Sequence, residues 1–173
     1  MSNPSPRDIQ RTRFTLLRLL PIELVDSILH QAEYYTILHS TRPVETTISD
    51  STFCCLRSRR TEKPVKRVVI KVEGHDQGWS SYPADQGTYR GSWTWFEAGI
   101  GNKEGGEGER RWGVARNLHA ESAWQVHEVV WGEDHELLKS LREGDSIDLY
   151  AAARYPGWRN TFRNVEIEVF CWI

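Results

Sequence analysis

The chain has 173 residues, 39% apolar and 27% charged, with a formal net charge of -2 and a pI near 6.3. That length suits one domain. The charge balance excludes a nucleic-acid surface built on bulk positive charge, and no apolar run approaches the roughly 20 residues of a bilayer span, so neither nucleic acid nor membrane is an expected partner.

Residues 1–12 are polar and proline-containing, and read as a frayed tail without the apolar core of a signal peptide. From Phe14 to about Leu38 the pattern is helical. Leu20, Leu24, Val25, Ile28, Leu29 and Ala32 recur at steps of three and four and form one apolar stripe. Pro21 suits a first helical turn, where its missing N–H costs nothing. Glu23 and Asp26 sit where the helix dipole favours negative charge.

Residues 40–50, rich in Thr and Ser, read as a connection. After them the period changes to two. Phe53–Leu56 is a candidate first strand, and Val68, Ile70 and Val72 mark the inward face of another. The basic residues between Arg57 and Arg67 read as a solvated edge. Thr88–Glu97 alternates again, which places Trp93 and Trp95 in the core, opposite Arg90, Ser92 and Thr94. Residues 99–109 hold many glycines and charges and read as a flexible hairpin loop. Trp112–Leu118, Gln125–Trp131 and Ser146–Arg154 are further strands, with a short helical turn at 134–141 and a turn at 155–158. In the last strand Val165, Ile167, Val169 and Cys171 point inward. Phe170 and Trp172 then need cover, from another element or from a second copy of the chain.

Short strands without long intervening helices predict a mainly β fold: an antiparallel β-sandwich of jelly-roll or galactose-binding-like type with one N-terminal amphipathic helix. The predicted division is a tail and helix over 1–40 and a Trp-rich β domain over 41–173. Cys54, Cys55 and Cys171 lack disulfide or zinc spacing and read as buried thiols. They predict a reducing compartment, cytoplasm or nucleus, and no metal or other cofactor.

All eight tryptophans lie between Trp79 and Trp172. The densest aromatic segment is Gly74–Glu97, where His75-Asp76-Gln77-Gly78-Trp79 forms a turn. A carbohydrate site needs flat rings for C–H faces and planar polar groups for hydroxyls. His75, Asp76, Gln77, Trp79, Arg90, Arg116, Trp158 and Asn160 are the candidate ligand-binding residues. The same groups would suit a peptide or a caged cation. They would equally suit a structural corner in which Asp76 caps the turn, Gly78 takes a positive φ and Trp79 plugs the sandwich end.

Leu20-Pro21-Ile22-Glu23-Leu24-Val25-Asp26-Ser27-Ile28-Leu29 resembles the opening of the F-box. That resemblance implies contact of Leu20, Pro21, Leu24, Ile28 and Leu29 with a Skp1-like adaptor. The competing reading is an amphipathic helix that covers the chain's own sandwich. Together with His75–Ser80, Thr88–Glu97, Arg116-Asn117, Gly144-Asp145 and Tyr155–Asn160, the helix resembles fungal F-box-like proteins with a Trp-rich β domain.

No nucleophile elbow, phosphate loop or zincin motif is present. Asp76 and Glu97 are the candidate carboxylate pair of a glycosidase, and His75, His119, His127 and His135 are scattered. The expected function is a non-catalytic recognition or adaptor protein, F-box-like and ubiquitin-ligase-associated, whose β domain receives a protein or glycan ligand. A stand-alone lectin-like module is the alternative, and a small hydrolase the third reading.

Overall fold

The structure, a computed structural model, describes residues 5–62, 64–101 and 107–172. Two helices open it, α1 at Pro6–Leu17 and α2 at Ile22–Gln31. Nine strands follow among the described residues: β1 Thr36–Arg42, β2 Thr46–Ser49, β3 Ser51–Arg57, β4 Val65–His75, β5 Thr94–Gly101, β6 Glu107–Arg116, β7 Gln125–Gly132, β8 Ser146–Ala153 and β9 Arg159–Cys171. A short helix α3, Glu136–Ser140, stands between β7 and β8.

The strands form two antiparallel sheets. In the first, the order is β1-β9-β4-β7, with β2 also paired to β9; in the second it is β3-β8-β5-β6. The fold is therefore a mainly β antiparallel sandwich. Between the sheets lie Val68, Ile70 and Val72 of β4, Phe96 and Ala98 of β5, Ile147, Leu149 and Ala151 of β8, and Phe162, Val165, Ile167 and Val169 of β9. Burial of these side chains is the main drive for closing the sheets, at about 1.5–3 kcal/mol for each large aliphatic or aromatic one.

The helical region is two helices where the stripe predicts one. Residues 18–21 separate them, because Pro21 cannot donate into a continuous helix. The tail is not frayed from Ser5 onward. Ser5 and Asp8 make a reciprocal capping box that starts α1. Ile9, Val25 and Leu29 are at most 2% exposed, and Arg13 pairs with Asp26 at 2.8 Å to hold the two helices together. The helical pattern expected to reach Leu38 ends at Gln31, and residues 40–50, expected as a connection, instead supply the end of β1 and all of β2. The strand Thr36–Arg42 thus crosses the predicted boundary at residue 40.

Phe170 and Trp172 find their cover within the chain. Tyr35 and Phe170 are buried together with Val69, and Ile37 and Trp172 pack on them. The His30 ring of α2 lies 3.5 Å from that of Trp172, whose Nε1 donates to Glu133 at 3.1 Å. Of the loop expected over 99–109, residues 99–101 belong to β5 and 107–109 to β6, and residues 102–106 lie outside the described residues.

Four connections gather at one end of the sandwich: β2 to β3, β4 to β5, β6 to β7 and β8 to β9. The registers of β9 with β4 and of β8 with β5 fix that arrangement, since His75 pairs with Thr161 and Thr94 with Ala153. Each of these four links passes from one sheet to the other.

Candidate functional site

The residues of the predicted turn are placed at this loop end, but they do different things. Asp76 is fully buried; its carboxylate accepts from the backbone N–H groups of Gly78 (2.8 Å) and Ala120 (2.7 Å). Burial pushes its carboxyl above the ordinary aspartate range, and those donors act against the rise. Asp76 therefore ties two loops together and has no face for a ligand. Gly78 takes the expected positive φ, +78°. Gln77 donates to the Trp79 carbonyl (2.9 Å) and accepts from the Arg159 N–H (3.1 Å). The His75 Nδ1 donates to the Asp76 carbonyl at 2.6 Å, and its ring meets Trp124 edge-on at 4.5 Å.

Asn160 also departs from expectation. It is fully buried, and its Nδ2 donates to the Trp95 and Ala152 carbonyls, both at 3.1 Å. Its Oδ1 accepts from Asn117 Nδ2 at 3.0 Å, which also donates to Thr94 Oγ1 at 3.1 Å. The His127 Nε2 completes the network by donating to Asn117 Oδ1 at 3.2 Å, and burial lowers the His127 pKa. Asn160 is thus a staple from the first sheet into the second, closed to ligand. Trp158 is half-buried, edge-on to His119 at 5.1 Å. Arg90 is exposed and pairs with Asp85 at 3.3 Å. Trp79 is 63% exposed, the only exposed one of the eight tryptophans.

The main correction concerns Trp93 and Trp95. They are not core. Thr94, Phe96 and Ala98 are fully buried and point between the sheets, so Trp93, Trp95 and Glu97 point out of the second sheet. The backbone ladder continues past the strand end, with Arg154 N–H donating to the Trp93 carbonyl at 3.0 Å. Trp95 is flanked across the strands by Ala152 and Arg116, and Glu97 by Tyr150 and Gly113. Small neighbours at 152 and 113 leave space beside the larger side chains. The result is a groove of about 410 Å³ lined by Trp93, Trp95, Glu97, Arg116 and Arg154 together with backbone of β6.

The groove has an uneven polarity. Arg116 lies 5.4 Å over the Trp95 ring and donates to the Ser92 carbonyl. Arg154 is exposed, 5.7 Å from the Tyr155 ring. Glu97 is half-buried and, among the described residues, its side chain makes no hydrogen bond or ion pair. A solvated carboxylate without a partner is a ready acceptor for hydroxyl or amide donors. Of the eight sequence-predicted ligand residues, only Arg116 lines this groove. One signal in the sequence could have found it: Glu97 is in phase with Trp95, while Phe96, Ala98 and Ile100 share the opposite phase.

The candidate catalytic pair does not share this site. Asp76 is enclosed at the loop end, on the connection from the first sheet, while Glu97 lines the groove of the second. Among the described residues no group of three or more His, Cys, Asp or Glu side chains is placed to hold a metal. Burial pushes the Cys55 thiol up to about 12, which makes it a poor nucleophile. No described helix is long and apolar enough to cross a membrane.

No family model and no curated protein matches the sequence. Among solved structures, infectious bursal disease virus, Gx strain, aligns with a TM-score of 0.48 and 10% identity, over 80% of this chain and 32% of that one. This chain therefore spans about a third of the viral chain. The CBM22-1 xylan-binding domain of Paenibacillus barcinonensis Xyn10C aligns at a TM-score of 0.36 and 11% identity, over 76% of this chain and 85% of that one. A structure titled "CBM4 structure and function" aligns at 0.39 and 5%, over 76% and 94%.

Proposed function

We propose that this protein is a non-catalytic recognition module whose second sheet binds carbohydrate. One observation carries the reading: Trp93 and Trp95 are turned out of the sandwich beside Glu97, Arg116 and Arg154. Indole rings supply apolar surface for sugar C–H faces, and the guanidinium and carboxylate groups supply oriented donors and acceptors for hydroxyls. Among the described residues, Glu97 is the sole carboxylate lining the groove. Glycosidic hydrolysis ordinarily uses two, so the geometry supports binding over cleavage.

Trp95→Ala should weaken glycan binding at least roughly 30-fold, which corresponds to about 2 kcal/mol. Calorimetric titration of linear oligosaccharides against the wild type and the variant measures it. Retained affinity in Trp95→Ala, or no binding of any glycan by the wild type, overturns the reading.

A second role rests on a separate observation. Leu24 is 53% and Ile28 42% exposed in the isolated chain, Pro21 is exposed and Leu20 half-buried. These residues would form the F-box-like ridge. Leu29 is turned inside instead and belongs to the packing of the helix pair. On this reading the helices recruit a Skp1-like adaptor while the sandwich holds a glycan-bearing client. Replacing both Leu24 and Ile28 with Asp should abolish co-purification of Skp1 and leave glycan titrations unchanged. Skp1 retention by that variant would remove the adaptor role.

A further inference from the structure

Tyr155 stands where the groove meets the loop end, and its backbone is unusual. Its φ is +75°, a left-handed value that a bulky side chain seldom adopts. Pro156 follows it and narrows the choice of backbone further. The conformation is held by hydrogen bonds, from the Tyr155 N–H to Asp50 Oδ1 (3.2 Å) and from the Trp158 N–H to the Tyr155 carbonyl (3.3 Å). The ring it projects is 47% exposed and meets Trp93 edge-on at 4.8 Å.

Trp79 lies against the same turn. A Cβ built on Gly157 would come 3.9 Å from its ring, and Gln77 links the Trp79 carbonyl to the Arg159 N–H. Trp95 and Trp93, where β5 begins at the loop end, are thus followed by Tyr155, in contact with Trp93, and by Trp79, against the same turn as Tyr155. Trp93 stands one residue ahead of β5 and Trp95 is the second residue of that strand, so their Cα atoms are at most roughly 7 Å apart, a separation on the scale of one sugar unit.

We infer that these four rings form one track for a linear oligosaccharide, with Tyr155 and Trp79 as its outer subsites. The inference rests on the carbohydrate reading above and adds the ligand's shape: an extended chain laid across several rings rather than one terminal sugar. A globular or single-residue ligand would use the groove and leave Tyr155 and Trp79 untouched. Backbone strain at an exposed aromatic is retained where the side chain's position matters to function.

The test is a length series. Xylose, cellulose, laminarin and chitin oligomers, each as disaccharide and hexasaccharide, are titrated into the wild type, Trp79→Ala, Tyr155→Gly and Trp95→Ala. For the class that binds, the hexasaccharide should bind at least tenfold more tightly than the disaccharide. Trp79→Ala and Tyr155→Gly should each lower hexasaccharide affinity roughly tenfold without changing that of the disaccharide. Trp95→Ala should weaken both. Tyr155→Gly relieves the left-handed strain, so its melting temperature should be equal or higher, which separates lost binding from lost folding. Equal affinity for both lengths, or an outer-ring variant that binds the hexasaccharide normally, overturns the track and leaves the carbohydrate reading standing. Failure of every oligomer to bind the wild type overturns both.

Discussion

Replacing Asn160 with Leu is expected to lower the free energy of unfolding by about 4 kcal/mol, although the two side chains are nearly the same size. Leu fills the volume but removes the side-chain donor to the Trp95 and Ala152 carbonyls and one of the two acceptors of the Asn117 amide, which keeps Thr94. Asn160 is fully buried, so solvent does not replace those bonds, and each unpaired buried group costs on the order of 1–3 kcal/mol. The effect should reach the groove as well, because the two carbonyls belong to the strands that carry and flank Trp95. Urea denaturation measures the loss, and glycan titration of the folded fraction measures its consequence. A change below about 1 kcal/mol would mean that the network is not a staple between the sheets.

This network also marks the limit of what the sequence reveals. Strands buried on one face were legible: Val68, Ile70 and Val72, and Val165, Ile167, Val169 and Cys171, point inward as their period of two requires. Edge strands were not. Thr36–Arg42 and Thr46–Ser49 are half-exposed and rich in Thr and Ser, and no buried residue within them marks an inner face. Ring size alone puts Trp93 and Trp95 on the wrong side, whereas the phase they share against Thr94, Phe96 and Ala98 turns them outward. In a strand, a shift of one residue exchanges every side chain between the faces. The roles of Asp76 and Asn160 depend on partners far along the chain, Ala120 and Asn117, and no local pattern encodes such pairings. Within the aromatic segment, Asp76 and Gln77 of the turn are tied into the fold, Trp79 of the same turn is exposed, and Trp93 and Trp95 are half-buried on the outer side of the second sheet.

Arg57→Ala is the second substitution with a large expected effect, a loss of about 3 kcal/mol. Asp148 is fully buried and receives two hydrogen bonds from the Arg57 guanidinium, at 2.9 and 2.6 Å. The Ser146 hydroxyl (3.1 Å) and the Tyr150 phenol (3.3 Å) also donate to it. The strand opposite makes room for this cluster. A Cβ at Gly101 would come within 2.6 Å of Ser146 Oγ and 2.8 Å of Asp148 Oδ2. Arg57 is 42% exposed, so solvent already weakens its attraction; the larger cost is the buried carboxylate it would leave behind. The double variant Arg57→Leu with Asp148→Leu removes both charges and should recover most of the stability. Urea denaturation of the wild type and the two variants decides the matter. A loss below about 1 kcal/mol in Arg57→Ala, or a double variant no better than Arg57→Ala, would show that the ion pair is not what Asp148 requires. Tyr150 links this cluster to the groove, because it stands beside Glu97 in the strand register. On the carbohydrate reading proposed above, loss of Arg57 should therefore also weaken glycan binding, through the position of Glu97.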